Sequence, residues 1–325
     1  MYKKIIDVKF VHLLLLYMII PLALIVVWID QTLLHSKILI SSPFKPEEWI
    51  IWVYIFGMPH VISGAQMFAD TEYIKMYGWR LFRILAICLA LPLVVVPVFG
   101  AEYMFVIFMA FIVYHTVAQQ FGLTLAVLKK APTTAFYAWK WSAIGVGSVL
   151  YLMLYFAPIP LAYVNNEWKD LLVLSAKVLL AITVLSGIAV IWENRTNKLG
   201  SWYVGLNIAL IFTECFLFYM HYFFLIVILG RIIHEFTAWP IYIAHENNRN
   251  LTVKHNWIYR MFGDFIPITI LSVALAFAIG FALLYITKLL PFFASVIISL
   301  SIYHFYTEHF LWRRDGILRE SVKFV

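Results

Sequence analysis

"LFRILAICLALPLVVVPVFG", residues 81–100, is twenty residues long and carries one charge, Arg83, near its start. At about 1.5 Å of rise per residue, a helix of this length spans roughly 30 Å, the thickness of a bilayer's hydrocarbon core. Pro92 and Pro97 lie inside it; in a membrane helix, neighbouring groups can re-satisfy the backbone they free, so they predict a bend rather than a break. Nine further apolar runs of similar length follow the same reading, at roughly 10–29, 48–69, 103–128, 135–157, 171–192, 201–219, 221–245, 264–287 and 291–312. Composition agrees: 64% of the 325 residues are hydrophobic and 13% charged, against about half and a quarter in soluble domains. The sequence predicts an all-α, polytopic membrane helical bundle of about ten transmembrane helices, forming a single integral membrane domain over 1–325.

The net charge of +7 invites a nucleic-acid partner, but cytoplasmic loops of membrane proteins retain Lys and Arg, which accounts for the excess. With ten spans and a cytoplasmic N-terminus, 17 of the 24 Lys and Arg fall in inside segments; Lys37, Lys45, Lys169 and Lys288 fall outside, and Lys140, Lys177 and Arg231 lie within spans. That bias predicts both termini in the cytoplasm and a multi-pass protein of the cell membrane, of bacterial inner-membrane type. "MYKKIIDVKF" is basic, but the apolar run behind it is too long for a cleavable signal. Cys88 and Cys215 sit in apolar runs and imply no disulfide framework.

Ten histidines remain to be placed. His12, His35, His221, His245 and His255 fall at span ends or in loops, where solvated or interfacial roles are expected. His60, His115, His234 and His304 do not. They lie 12 residues past Glu48, 13 past Glu102, 13 past His221 and 13 past Pro291, on four spans that all run inward. At about 1.5 Å per residue, all four share a depth roughly 18–20 Å below the outer surface. Gln119 follows His115 by four residues on the same helix face, with Gln120 beside it; Arg231 and Glu235 flank His234; Glu308 follows His304 by four, and His309 lies about a turn deeper. Ionisable groups at such depth are costly and pair with one another or with a ligand. A lone intramembrane histidine often serves only as a hydrogen bond between helices. Four at one depth, with carboxylates beside them, point to a metal.

Neutral imidazole is the commonest metal ligand, and several imidazoles with carboxylates suit iron, with zinc the other fit. His60, His115, His234 and His304 are the expected ligands, His309 a further or alternative one. Glu235 and Glu308 are candidate catalytic bases or carboxylate ligands; Gln119 and Arg231 are candidate cofactor-contacting groups. Neither an H-E-x-x-H motif nor the His-x-x-His-His boxes of membrane desaturases occurs, so the ligands must converge from separate helices. "GMPHVISGAQMFAD" (57–70) resembles the Gly-x-Pro-His-Gly-x-x-Asp segment of the Brp/Blh family, membrane enzymes that cleave β-carotene, through Gly57, Pro59 and His60. Val61 stands where that family has Gly, and Asp70 lies farther along than its Asp. The resemblance implies iron held by histidines from several helices. The tail "YHFYTEHFLWRRDGILRE" is similar to that of multi-pass bacterial membrane proteins and implies no activity. The expected function is a histidine-ligated membrane metalloenzyme acting oxidatively on a lipophilic substrate drawn from the bilayer: a carotenoid, fatty acyl chain, sterol or quinone. A haem-binding electron carrier and a proton-coupled transporter are the alternatives.

Overall fold

In a computed structural model of the protein, residues 5–41, 57–156, 166–263, 265–290, 293–312 and 316–325 are described. Among them no strand forms, only two isolated bridges. Helices dominate because each satisfies its own backbone polar groups, the requirement a lipid environment imposes. In chain order they are α1 (Phe10–Leu15) and α2 (Ile19–Thr32), joined by one 3₁₀ turn, α3 (Lys37–Ser41), α4 (Met58–Gln66), α5 (Thr71–Phe99), α6 (Ala101–Leu128), α7 (Thr134–Phe156), α8 (Asn166–Glu193), α9 (Lys198–Tyr219), α10 (Phe223–Arg249), α11 (Trp257–Phe262), α12 (Ile268–Leu289), α13 (Phe293–Leu311) and α14 (Ile317–Ser321).

The long helices coincide with the expected runs. The start of the 48–69 run, including Glu48, lies outside the described residues, as do Pro291 and the arginines at 313 and 314. Seven helices among the described residues are long and apolar enough to cross a membrane: α1–α2 together, α5, α6, α8, α9, α10 and α12. The chain thus reads as a multi-pass membrane protein. α13 is not among the seven; His304, Glu308 and His309 lower its apolar character. α5 starts ten residues before residue 81 because Asp70 caps it, accepting the Glu72 N–H at 2.7 Å. α5 and α6 are joined by Gly100 alone, at φ 102°, a conformation that favours glycine.

The chain divides into two compact units. The first comprises residues 1–10, 51–111 and 235–325. In it α12 packs along α4, and α13 against α5. At Gly280 a Cβ would lie 3.3 Å from the Pro59 nitrogen, so α12 approaches α4 closely there. The described N-terminal residues pair with the C-terminal ones. Val8 N–H donates to Lys323 O, Phe10 N–H to Val325 O and Val325 N–H to Val8 O, all near 2.9–3.0 Å. Phe10 stacks on Phe324, and the Asn248 side chain holds both Ile6 N–H and Ile6 O at 2.8 Å.

Segments joined by backbone hydrogen bonds, as Val8 and Phe10 are to Lys323 and Val325, lie on the same side of a bilayer. With the loop charges of the sequence, this leads us to expect that reporters fused after Val325 and ahead of Met1 both read cytoplasmic. Reporters reading opposite sides would overturn both the span count and the shared histidine depth.

The second unit comprises residues 11–50 and 112–234. α7 and α8 pack along much of their length around Phe121, Phe136, Trp139, Val146 and Leu150. At Gly187 a Cβ would lie 2.4 Å from Ile208 Cδ1, so the glycine leaves room for the Ile208 side chain of α9 against α8. Asp30 is fully buried and accepts from Ile38 N–H (2.8 Å), Leu39 N–H (3.0 Å) and Tyr222 O–H (2.7 Å), tying α2 to the first turn of α3.

Candidate metal centre

In the first unit His60 is presented by α4 and His304 by α13, with Glu308 one turn farther along α13. All three are 2–3% exposed. Pro59 sits in the first turn of α4, where its missing N–H costs no helical bond. His304 Nε2 lies 3.0 Å from His60 Nε2, and the rings meet edge-to-face with centroids 4.7 Å apart. Glu308 Oε1 is 3.8 Å from His304 Nε2. One ligand atom from each of the three residues lies within 4.8 Å of the other two. A buried His/Glu group with these separations could hold a metal ion.

The separations can be tested against bond lengths. Imidazole nitrogens bind zinc-like ions at about 2.0–2.1 Å. Two such ligands at right angles stand about 2.9 Å apart, and at tetrahedral angles about 3.3 Å. The observed 3.0 Å is the cis separation. A haem between the two rings needs its axial nitrogens about 4 Å apart, two such bonds end to end, and the pair is closer than that. The same 3.0 Å also suits one imidazole N–H donating to the other ring. What favours an ion is the third donor, Glu308, a buried carboxyl oxygen beside both rings.

Two further residues shape this site: Gly64, a small residue on the His60 face of α4 where the sequence lets a neighbouring helix approach closely, and Tyr242, which sequence reasoning missed. At Gly64 a Cβ would lie 2.8 Å from His304 Cε1, 2.9 Å from its Nδ1 and 3.2 Å from the Tyr242 hydroxyl. The missing side chain is what lets the His304 ring lie against α4. Tyr242 is fully buried, its ring 5.6 Å from that of His60. The only signal for it was spacing, since it follows Glu235 by seven residues on one face of α10. Gly64→Ala should displace the His304 ring and weaken metal binding about tenfold, the scale of disturbing a ligand's support, while the protein still elutes as a folded species. Metal titration with unchanged affinity would show that the ring has room to move.

In the second unit His115 on α6 and His234 on α10 form an edge-to-face pair, centroids 4.7 Å apart and planes at 77°. They are 6% and 3% exposed; Gln119, Arg231 and Glu214 are also buried. Gln120 Oε1 accepts from Tyr17 O–H at 3.0 Å, and the same hydroxyl reaches Asn207 Oδ1 at 3.0 Å. Ring contacts thus pair His60 with His304 in the first unit and His115 with His234 in the second. Glu235 is buried in the first unit, while His309 is exposed.

One expectation is corrected. His245 is not solvated: it is 1% exposed. Its Nε2 lies 3.3 Å from the Tyr73 hydroxyl and its Nδ1 meets Ser321 Oγ, so two side chains replace the water a loop histidine would have. His12, His35 and His221 are exposed as expected, and His255 is half-buried. No protein-family model, no curated protein and no solved structure matches this chain.

Proposed function

We propose that this protein is an integral membrane metalloenzyme whose ion is held by His60, His304 and Glu308. The observation that carries this reading is the buried pair of imidazoles at 3.0 Å with a carboxyl oxygen beside them. Two histidines and one carboxylate leave coordination positions open and suit non-haem iron(II) in oxygenases, which makes iron the favoured metal. Iron in such a site would supply oxygen activation; the chain's part would be to hold it through His60, His304 and Glu308, all of them buried. Dioxygen and lipophiles both dissolve in the bilayer, so an oxidative reaction on a lipophilic substrate fits the setting. Glu235 is retained as a candidate base.

The depth register of the sequence adds His115 and His234 as further candidate donors. Elemental analysis of detergent-purified protein tests the proposal. About one iron per chain supports it; stoichiometric zinc would keep the site and overturn the oxidative chemistry, and absence of any metal would end it. His115→Ala and His234→Ala, assayed the same way, decide whether the second pair contributes a donor.

A further inference from the structure

The second unit holds a buried polar group that nothing so far uses. Gln119 is 8% exposed, and neither its Nε2 nor its Oε1 has a hydrogen-bond partner among the described residues. Its neighbour Gln120 shows the contrast, since its oxygen is engaged by Tyr17. An unsatisfied buried polar group costs about 1–3 kcal/mol, and native interiors rarely leave both ends of a carboxamide unmet. Gln119 lies one turn beyond His115 on the same face of α6, and His115 pairs with His234.

A carboxamide offers an N–H donor and a C=O acceptor side by side in one plane. The groups complementary to both at once are a primary amide and a neutral carboxylic acid, and of the two the acid is the common lipid head group: its carbonyl accepts from the amide N–H and its O–H donates to the amide oxygen. An ester can accept but not donate, and a hydrocarbon does neither. We propose that Gln119 is the head-group site for a long-chain carboxylic acid taken up from the bilayer in its protonated form. This rests on the reading of the protein as acting on a lipophile, and it narrows that substrate to a fatty acid.

The test uses the full-length protein in nanodiscs with carboxyl-¹³C palmitic acid, methyl palmitate, hexadecanamide and hexadecane as probes. Palmitic acid should bind with the infrared carbonyl band of a neutral, hydrogen-bonded carboxyl, and hexadecanamide, which offers the same donor–acceptor pair, should bind comparably. The ester should bind about tenfold more weakly, the effect of losing roughly 1.4 kcal/mol. Gln119→Leu should weaken the acid by at least that factor. The acid–ester comparison is made on the unaltered chain, so it stands even if Gln119→Leu does not fold. Equal binding of acid, ester and hydrocarbon overturns the proposal. A carboxylate band would also overturn it, since capture by a cation such as Arg231 would then replace the amide pairing. The acid should bind chelator-treated protein as well as metal-loaded protein. Binding that needs the ion would place the head group on the metal and overturn the amide site, whereas failure to find any metal leaves this test intact.

Discussion

His60→Ala and His304→Ala should each strip the protein of its metal, with affinity falling by at least about a hundredfold, since loss of outer-shell support alone costs 10–100-fold and these residues are proposed as the ligands themselves. Glu308→Gln should weaken binding too: it keeps the shape of the side chain and removes the negative charge that a divalent ion favours. His12→Ala, an exposed position on α1, is the control and should leave metal content unchanged. The three site variants should still elute as folded protein, because each removes a ligand and leaves the surrounding helices intact. The competing account, in which the imidazoles are only hydrogen-bonded to each other, makes the opposite forecast. On that account the wild-type protein carries no metal, and His60→Ala costs stability by leaving His304 beside a hole. Metal content and thermal stability measured on the same samples separate the two, and metal retained in both histidine variants would sink the proposed ligand set.

Much of the fold was legible because membrane helices announce themselves by length and apolarity. The runs at 103–128 and 201–219 lie within α6 and α9, whose ends differ from them by no more than three residues, and 81–99 lies within α5, which begins ten residues earlier at its Asp70 cap. The site was legible in kind, since buried histidines and a carboxylate one turn away on the same helix stand out against an apolar background. What the sequence could not supply was the rotation of each helix about its axis. In a soluble helix the polar face fixes that rotation, but a lipid-facing surface is as apolar as the interior. Whether His304 meets His60 or another ring was therefore open: Gly64, a small residue on the His60 face, marks where a neighbour can come close but not which ring arrives. His245 was misjudged for a related reason. Its place near a helix end suggested water, whereas Tyr73 and Ser321, both far away in sequence, cover it.

Arg249→Met should destabilise the first unit by about 3 kcal/mol, the low end of what breaking a buried ion pair costs. Arg249 ends α10 and donates from Nε to Asp70 Oδ2 at 2.6 Å, while its Nη2 engages Glu72. The side chain of Asp70 is 3% exposed, whereas that of Glu72 is 47% exposed and can be solvated once the guanidinium is gone. The penalty therefore falls on Asp70, left as a charge in a buried place with only the Glu72 N–H it caps. That asymmetry predicts the double variant. Asn is as good a helix cap as Asp, so Asp70→Asn keeps the α5 cap and removes the charge. Combined with Arg249→Met it should restore most of the lost stability, and Asp70→Asn alone should cost less than Arg249→Met alone. Neither residue is near the proposed ligands in sequence, so metal content per folded molecule should not change. Thermal unfolding of the three variants in one detergent measures the cycle. If the double variant is no more stable than Arg249→Met, the cost does not come from the stranded Asp70, and the anchoring of α10 to the start of α5 rests on something other than this pair.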